Sequence, residues 1–364
     1  MSERPTTVKC LVWDLDDTLW RGTLAEGDTV RPSEEARALI KTLDGRGILQ
    51  SIASKNDHDR AWAALEEFGL AEYFVLPQIS WGPKSAAVRA IAEGLSFDQG
   101  TVAFLDDRAT ERAEVAFHLP RVRCYPVEDL PGLAALLEFN PAHVTADSAR
   151  RRSMYQAGFQ RTAAQDQFAG SDEDFLRTLN LRMGIAHAGE SDLARVEELT
   201  LRTSQMNATG VHYSLETLRQ LSADPRHDVL IVTLDDRFGS HGAVGILLLE
   251  RHAKVWNLKL LATSCRVVSL GAGATIINWL IDQAAQAGVH LLADFRRTER
   301  NRMMDVAYRF SGFTDEACAC AAEVPAAPGV EGLERLHLTP TPRPLSGAVS
   351  VSAPELALPV AGWA

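Results

Sequence analysis

The chain has 364 residues, enough for two domains and a tail, each domain able to bury an ordinary core without staples. Lys and Arg total 37 against 48 Asp and Glu, and the resulting formal charge of −11 argues against binding to nucleic acid or anionic membranes. Five cysteines without paired spacing argue against a disulfide framework, and the start MSERPTTVKC carries no secretory apolar core, so a cytoplasmic protein is expected. No run approaches the ~18 apolar residues of a membrane span.

Residues 8–125 alternate between strand and helix patterns. VKCLVWD at Val8–Asp14 suits a strand buried on both faces. Ser33 is placed to cap a helix whose apolar residues Ala36, Leu39, Ile40 and Leu43 fall on one side, with Gly45 and Gly47 ending it. ILQSIAS (48–54) predicts a second strand, YFVL (73–76) a third, TVAFLDD (101–107) a fourth and VRCYPV (122–127) a fifth, with helices between. Such alternation with short connections is the pattern of an open parallel sheet covered by helices on both faces.

Residues 140–184 are polar and helical in pattern and read as a linking segment between a first domain (1–139) and a second (185–323). From Ile185 an α+β unit is expected, with a helix in SDLARVEELTLRTSQM, a strand VLIVTLDD and a long hairpin through AVGILLLERHAKVWNLKLLATSCRVV. A helix through INWLIDQAAQAG, the strand VHLLADF and a last helix near NRMMDVAYRF follow. The Pro/Ala-rich stretch 324–364 is expected to be a loosely packed tail.

The string VWDLDDTLW sets Asp14 and Asp16 two residues apart at the end of the first strand, on one side if strand geometry persists. Ligands of open parallel sheets bind beyond the carboxyl ends of the strands, and acids gathered there need a cation or protons to compensate them. A hard divalent ion such as Mg²⁺ is implied. Asp106 and Asp107 end the fourth strand in the same way, Ser54 ends the second, and Lys84 precedes the third helix. Hydroxyl, ammonium, metal and backbone N–H at strand ends together make a phosphoryl site, where one aspartate can act as nucleophile and its neighbour as acid and base. Taken singly, each acid reads as a cap or turn former; four elements arriving in order favour the shared site.

These residues resemble the haloacid-dehalogenase superfamily, whose DxDxT motif is present as Asp14-Leu15-Asp16-Asp17-Thr18. Its Ser, Lys and acidic-pair motifs match Ser54, Lys84 and Asp106/Asp107. The resemblance implies Asp14 as nucleophile, Asp16 as general acid/base, and Thr18, Ser54 and Lys84 as phosphate binders. Mg²⁺ is then expected at Asp14, the backbone of Asp16, and Asp106 or Asp107. The short stretches after Thr23 and between Ser54 and Lys84 leave no room for a lid domain, so the fold expected is a Rossmannoid parallel sheet without a large cap.

In the second half Gly271 and Gly273 form a turn between a strand and a helix, where backbone can approach a ligand and the helix N-terminus favours phosphate. Asn301, Tyr308 and Gly312-Phe313 follow a spacing similar to that of Gcn5-like acetyltransferases, so an α+β domain of that fold is implied over roughly 185–315. With Arg266 as the start of the turn motif, Ser269 stands at the first glycine position and Gly271 fits the second. Starting instead at Val268 places Gly271 and Gly273 correctly but loses the Arg/Gln, so the match to an acetyl-CoA turn is incomplete, and a phosphopantetheine arm along the strand, near Arg266, Gly271, Gly273 and Asn301, stays open.

The stretches KCLVWDLDDTLWRGTL, ILQSIASKNDHDRA, LEEFGLAEYFVLPQISW, NATGVHYS, WNLKLLATSCRV and TERNRMM together resemble the FkbH-like glyceryl transferases over almost the whole chain. The resemblance implies removal of both phosphates from D-1,3-bisphosphoglycerate and loading of the glyceryl group onto an acyl carrier protein, for polyketide building blocks of the methoxymalonyl type. An acyl phosphate is already activated for attack by a thiolate, so no ATP is needed, and the other phosphate is an ester suited to a Mg²⁺–aspartate site.

Among the thiols, Cys10 reads as a small core residue and Cys124 lies mid-strand, while Cys318 and Cys320 sit near the tail. Cys265, just before the glycine turn, is the preferred carrier of a glyceryl thioester. Basic residues for an acidic carrier protein are sought in Arg150–Arg152 and in Arg296, Arg297, Arg300 and Arg302, against the plainer reading of solvated helix faces. The competing functions are a Mg²⁺ phosphatase of small phosphoesters with a non-catalytic binding domain, and an inactive carrier-docking scaffold.

Overall fold

The computed structural model describes residues 6–141, 144–203, 206–325, 332–344 and 347–356; the side chains of residues 146, 202 and 265 lie outside that description. The chain divides into two units, 1–159 and 160–364. No helix among the described residues is long and apolar enough to cross a membrane.

The first unit runs β1 (Cys10–Trp13), a small hairpin of β2 (Trp20–Arg21) and β3 (Arg31–Pro32), α1 (Glu34–Gly45), β4 (Leu49–Ser54), α2 (His58–Glu67), β5 (Gln78–Ile79), α3 (Lys84–Gly94), β6 (Val102–Asp106), α4 (Ala109–His118), β7 (Arg123–Pro126) and the short α5 (Leu130–Leu133) and α6 (Ala146–Ala149). Its five-stranded sheet has the order β5-β4-β1-β6-β7, with every pairing parallel. β1 is central, so its side chains alternate between two cores: Leu11 and Trp13 join the cluster of α1, Cys10 and Val12 that of α3 and α4. Because no water reaches Trp13, its indole N–H needs a partner and donates to Gln50 Oε1 at 2.7 Å. Ser33 caps α1 by accepting from Ala36 N at 3.1 Å, and the apolar stripe Ala36, Leu39, Ile40 and Leu43 is buried.

One expected strand is displaced. YFVL does not form the third strand; residues Ala71–Tyr73 make a turn of 3-10 helix and Phe74 only an isolated bridge to Gln50. Leu76 is left-handed at φ 47° and Pro77 has no N–H to donate, so the ladder resumes only at Gln78–Ile79.

The unit boundary falls within α7 (Arg151–Asp166), and α8 (Asp172–Thr178) follows. The second unit then runs β8 (Leu181–His187), α9 (Glu190–Arg202), α10 (Leu215–Ala223), β9 (His227–Asp236), β10 (Gly239–Arg251), β11 (Val255–Thr263), α11 (Ala272–Ala287), β12 (His290–Arg296), α12 (Arg302–Phe310), β13 (Leu333–Leu338) and β14 (Val349–Ser352). Its seven-stranded sheet has the order β13-β12-β11-β10-β9-β8-β14 and is mixed, parallel at β11–β12 and β8–β14 and antiparallel elsewhere. The expected long hairpin is β10–β11.

The stretch beyond residue 323 is not a loose arm where it is described. β13 pairs with β12 and β14 with β8, one at each edge of the sheet. Leu336, Leu338, Val349 and Leu356 enter the main core, and that burial outweighs the Pro- and Ala-rich composition around them. Leu336→Ala is therefore expected to destabilise the chain by about 2–5 kcal/mol, measured by denaturant unfolding; a change near zero would return this stretch to the status of a loose arm.

Candidate active site

The site is built where β1 ends. Leu15 O accepts from the N–H groups of Thr18, Leu19 and Trp20, at 3.2, 2.9 and 3.2 Å, which curls the chain back at once. The curl needs a left-handed residue, and Asp17 takes it at φ 52°. Strand geometry ends before Asp16, so the two acids part company. Asp14 points along the sheet edge, where Lys84 Nζ lies 2.5 Å from its carboxylate and 3.0 Å from that of Asp106. Asp16 turns towards the hairpin: its Oδ1 accepts from Trp20 Nε1 and Leu24 N at 2.8 and 3.1 Å, and its Oδ2 from Asn56 Nδ2 at 3.0 Å.

Carboxylate oxygens of Asp14, Asp106 and Asp107 lie within 4.8 Å of one another, a hard, oxygen-rich donor set that fits Mg²⁺. Asp16, expected to offer the ion its backbone, keeps its carboxylate outside this group. Thr18, expected to bind phosphate, is buried and its hydroxyl is engaged with Asp107, accepting from Asp107 N at 3.0 Å. Its role is to hold that acid. Ser54 and Lys84, with Asp14, Asp16 and Asp107, line a cavity of about 580 Å³. Between β1 and α1 only the β2–β3 hairpin is inserted, and its Thr23, Ala25 and Glu26 form part of the wall.

Burial and the neighbouring Asp14 push the Asp106 carboxyl up to about 6, against the opposing pull of Lys84. Asp107 is raised for the same two reasons, burial first. Arg108 N donates to Asp106 Oδ1 at 2.8 Å, and Arg112 Nη1 donates to the carbonyls of Asp106 and Asp107 at 2.7 and 2.8 Å, pinning the acidic pair at the start of α4.

Several residues at or behind the cavity wall were not legible as functional. Asn56 fixes Asp16 from β4's far end, Lys55 and Glu111 pair at 2.9 Å across the mouth, and Trp81 stands 68% exposed at the rim. Only the nearness of Lys55 and Asn56 to Ser54 in the sequence hinted at them.

In the second unit Gly271 is left-handed at φ 70° and caps α11, and a side chain at Gly271 or Gly273 would meet nothing within 4 Å. Arg266 is exposed and its Nε donates to Ser264 Oγ at 3.2 Å. Asn301, by contrast, is 1% exposed; its Nδ2 donates to the carbonyls of Asn207, Ala208 and Arg296, and its Oδ1 accepts from Thr298 N. Every polar atom of Asn301 is engaged, so it ties backbone together instead of meeting a carrier arm.

β11 and β12 part after Leu258 and Ala293, and residues 206–208 fill the gap. Ala208 N donates to Leu261 O at 3.0 Å, Thr263 N to Met206 O at 2.8 Å, and Arg296 N to Ala208 O at 3.0 Å. Leu261–Thr263 pair with β10 on the other side, so both edges of this stretch are taken. An arm lying along it has no main chain left to bond. Cys265 opens the short helix Cys265–Val267, and its side chain lies outside the described residues. Among the other basic candidates, Arg152 pairs with Asp44 at 3.0 Å and Arg297 with Asp305 at 3.1 Å, whereas Arg300 and Arg302 are exposed.

Solved structures are similar to this chain in two separate parts. The N-terminal part of a Bacteroides fragilis protein, containing a phosphatase domain complexed with Mg, is 25% identical over 37% of this chain, with a TM-score of 0.34. The match spans 40% of that structure's own length. Ard1 from Thermoplasma volcanium is 12% identical over 44% of this chain and 98% of its own, TM-score 0.34. Tetrahymena Gcn5 is 13% identical over 45% of this chain and 99% of its own, TM-score 0.33. No family model and no curated protein matches. The strand orders define the class: an α/β Rossmannoid parallel sheet with its acids at the carboxyl ends of β1 and β6, followed by a unit built on a seven-stranded mixed sheet.

Two outcomes follow from the charges at this edge. Without a divalent cation the folded chain holds the Asp106 proton more tightly than the unfolded chain, so this group's contribution to stability is full below about 4 and is lost as pH rises through about 6. Thermal melts across that window should show the decline, and added Mg²⁺ should reverse it. Lys84→Met leaves Asp14 and Asp106 without their buried counter-charge, so Mg²⁺ should raise Tm more in this variant than in the wild type. An equal or smaller rise would remove the cation from this cluster.

Proposed function

We propose that the chain is a glyceryl transferase with phosphatase activity, which dephosphorylates D-1,3-bisphosphoglycerate and loads the glyceryl group as a thioester onto the phosphopantetheine arm of an acyl carrier protein, in the supply of polyketide extender units of the methoxymalonyl type. The observation that carries the phosphatase half is the convergence of Asp14, Asp106 and Asp107 around Lys84 at the rim of a parallel sheet, with Asp14, Asp107 and Lys84 lining one cavity. The transferase half rests on the resemblance of the quoted sequence stretches and on the mixed-sheet second unit.

Mg²⁺, held by Asp14, Asp106 and Asp107, supplies positive charge to the phosphoryl oxygens when bound. The protein's own residues do the rest. A carboxylate oxygen of Asp14 attacks phosphorus and the ester oxygen leaves, taking a proton from Asp16. Asp16 then removes a proton from the water that hydrolyses the aspartyl phosphate, restoring both groups. Oδ2 of Asp16, which accepts from Asn56 alone among the described residues, is the oxygen left to carry that proton. Lys84 and Ser54 meet the phosphate with an ammonium and a hydroxyl. In the acyl step a thiolate attacks the carbonyl of the acyl phosphate and phosphate leaves, with no ATP consumed.

Cys265 is the thiol proposed to hold the glyceryl group in transit. Cys10 and Cys124 are poorly suited to the role, since burial raises both thiols, that of Cys124 to about 11. A second reading, a Mg²⁺ phosphatase of small phosphoesters whose second unit only binds, is favoured by one specific observation: both main-chain edges of Leu261–Thr263 are already paired.

Intact mass spectrometry separates the two. The chain is mixed with holo carrier protein, D-1,3-bisphosphoglycerate and Mg²⁺; a carrier heavier by one glyceryl unit, without phosphate, is the expected result. Free phosphate beside an unmodified carrier would leave the phosphatase alone. Asp14→Asn should abolish phosphate release while leaving the Tm near that of the wild type, and persistent release would exclude Asp14 as nucleophile.

A further inference from the structure

Four side chains of the second unit converge with a chemistry different from that of the carboxylates. His290 opens β12 and His337 lies in β13, where the register sets His337 opposite Leu292. Residues two apart on a strand share a face, so His290 and His337 stand diagonally on the same side of the sheet. His290 Nδ1 and His337 Nε2 are 3.0 Å apart. Cys318 and Cys320 reach this face from the turn of 3-10 helix at Ala319–Glu323, with Cys318 Sγ 3.4 Å from His290 Nδ1. One ligand atom from each of the four lies within 4.8 Å of all the others.

The turn is held there independently of these contacts. Val324 is buried against Val255 and Leu292, Arg335 Nη1 donates to Val324 O at 2.9 Å, and Lys254 N donates to Glu323 Oε2 at 3.2 Å. Thr314 and His337 exchange backbone hydrogen bonds of 2.9 and 2.8 Å, fixing the incoming chain beside β13. Two imidazoles and two thiols are thereby presented on a strand pair and an anchored turn.

We propose that His290, Cys318, Cys320 and His337 form a structural zinc site. Tetrahedral zinc, with Zn–N near 2.0 Å and Zn–S near 2.3 Å, sets ligand atoms about 3.3–3.8 Å apart. The two short separations already fall close to that range, and side-chain rotation closes the rest. Two sulfur and two imidazole donors suit zinc and not the hard Mg²⁺ of the acidic cluster. On binding, each thiol loses a proton to solvent and forms a Zn–S bond, while each imidazole ligates as the neutral ring through the nitrogen that now faces its neighbour. Four protein ligands leave no open position, so the ion's work is to cross-link the turn at 318–323 to β12 and β13.

The full chain, purified under reducing conditions, should contain about one zinc ion per chain by elemental analysis. Asp14→Asn should retain the zinc, and the double variant Cys318→Ser/Cys320→Ser should lose it. Chelator-stripped wild-type chain titrated with Co²⁺ should develop thiolate-to-cobalt absorption in the near ultraviolet and the visible bands of tetrahedral cobalt, and its Tm should rise on metal addition. The cobalt spectrum decides the matter even if the double variant fails to fold. Absence of zinc together with absence of the thiolate band would overturn the site, as would zinc retained in full by a folded double variant.

Discussion

A buried ammonium between two buried carboxylates is the constraint on which the first unit's active edge depends. Asp14 and Asp106 are 6% and 0% exposed, and carboxylates so placed repel one another and lose their hydration. Lys84, 3% exposed at the start of α3, offsets both costs at once. One side chain thus sets the charge balance of both acids at the sheet edge.

The two aspartates of one short motif meet opposite fates because the chain turns between them. A left-handed Asp17 and the triple use of Leu15 O bring Trp20 and Leu24 over Asp16, while Asp14 stays with the sheet. Asn56, arriving from the end of β4, completes the hold. An acid fixed by three donors is well suited to pass a proton from one defined oxygen, and poorly suited to swing into a metal shell. The hairpin that provides two of those donors also walls the cavity, so the insertion serves both purposes without a lid domain.

The second unit resolves a different problem. Where β11 and β12 diverge, their edge groups would be left unpaired, and residues 206–208 satisfy them from both sides. Asn301 then ties this insert to Arg296 O, and Asn207 Oδ1 accepts from Thr209 N and Gly210 N to shape its end. The main chain of Leu261–Thr263 is thereby engaged on both edges.

Local pattern determined a good deal of this protein. Strand ends, the Ser33 cap and the order Asp14, Ser54, Lys84, Asp106 were legible because each depends on residues close in sequence, and a parallel sheet then places all its carboxyl ends at one rim. Pattern misled at YFVL, where Pro77 interrupts the ladder, and beyond residue 323, where composition concealed apolar side chains that two sheet edges could use. Which partner each polar group takes was decided by tertiary structure alone. Thr18 meets Asp107, Asn56 meets Asp16 and Asn301 meets the carbonyl of Asn207 across separations of 89, 40 and 94 residues. Such contacts follow from how whole elements pack, and spacing along the chain carries no record of them.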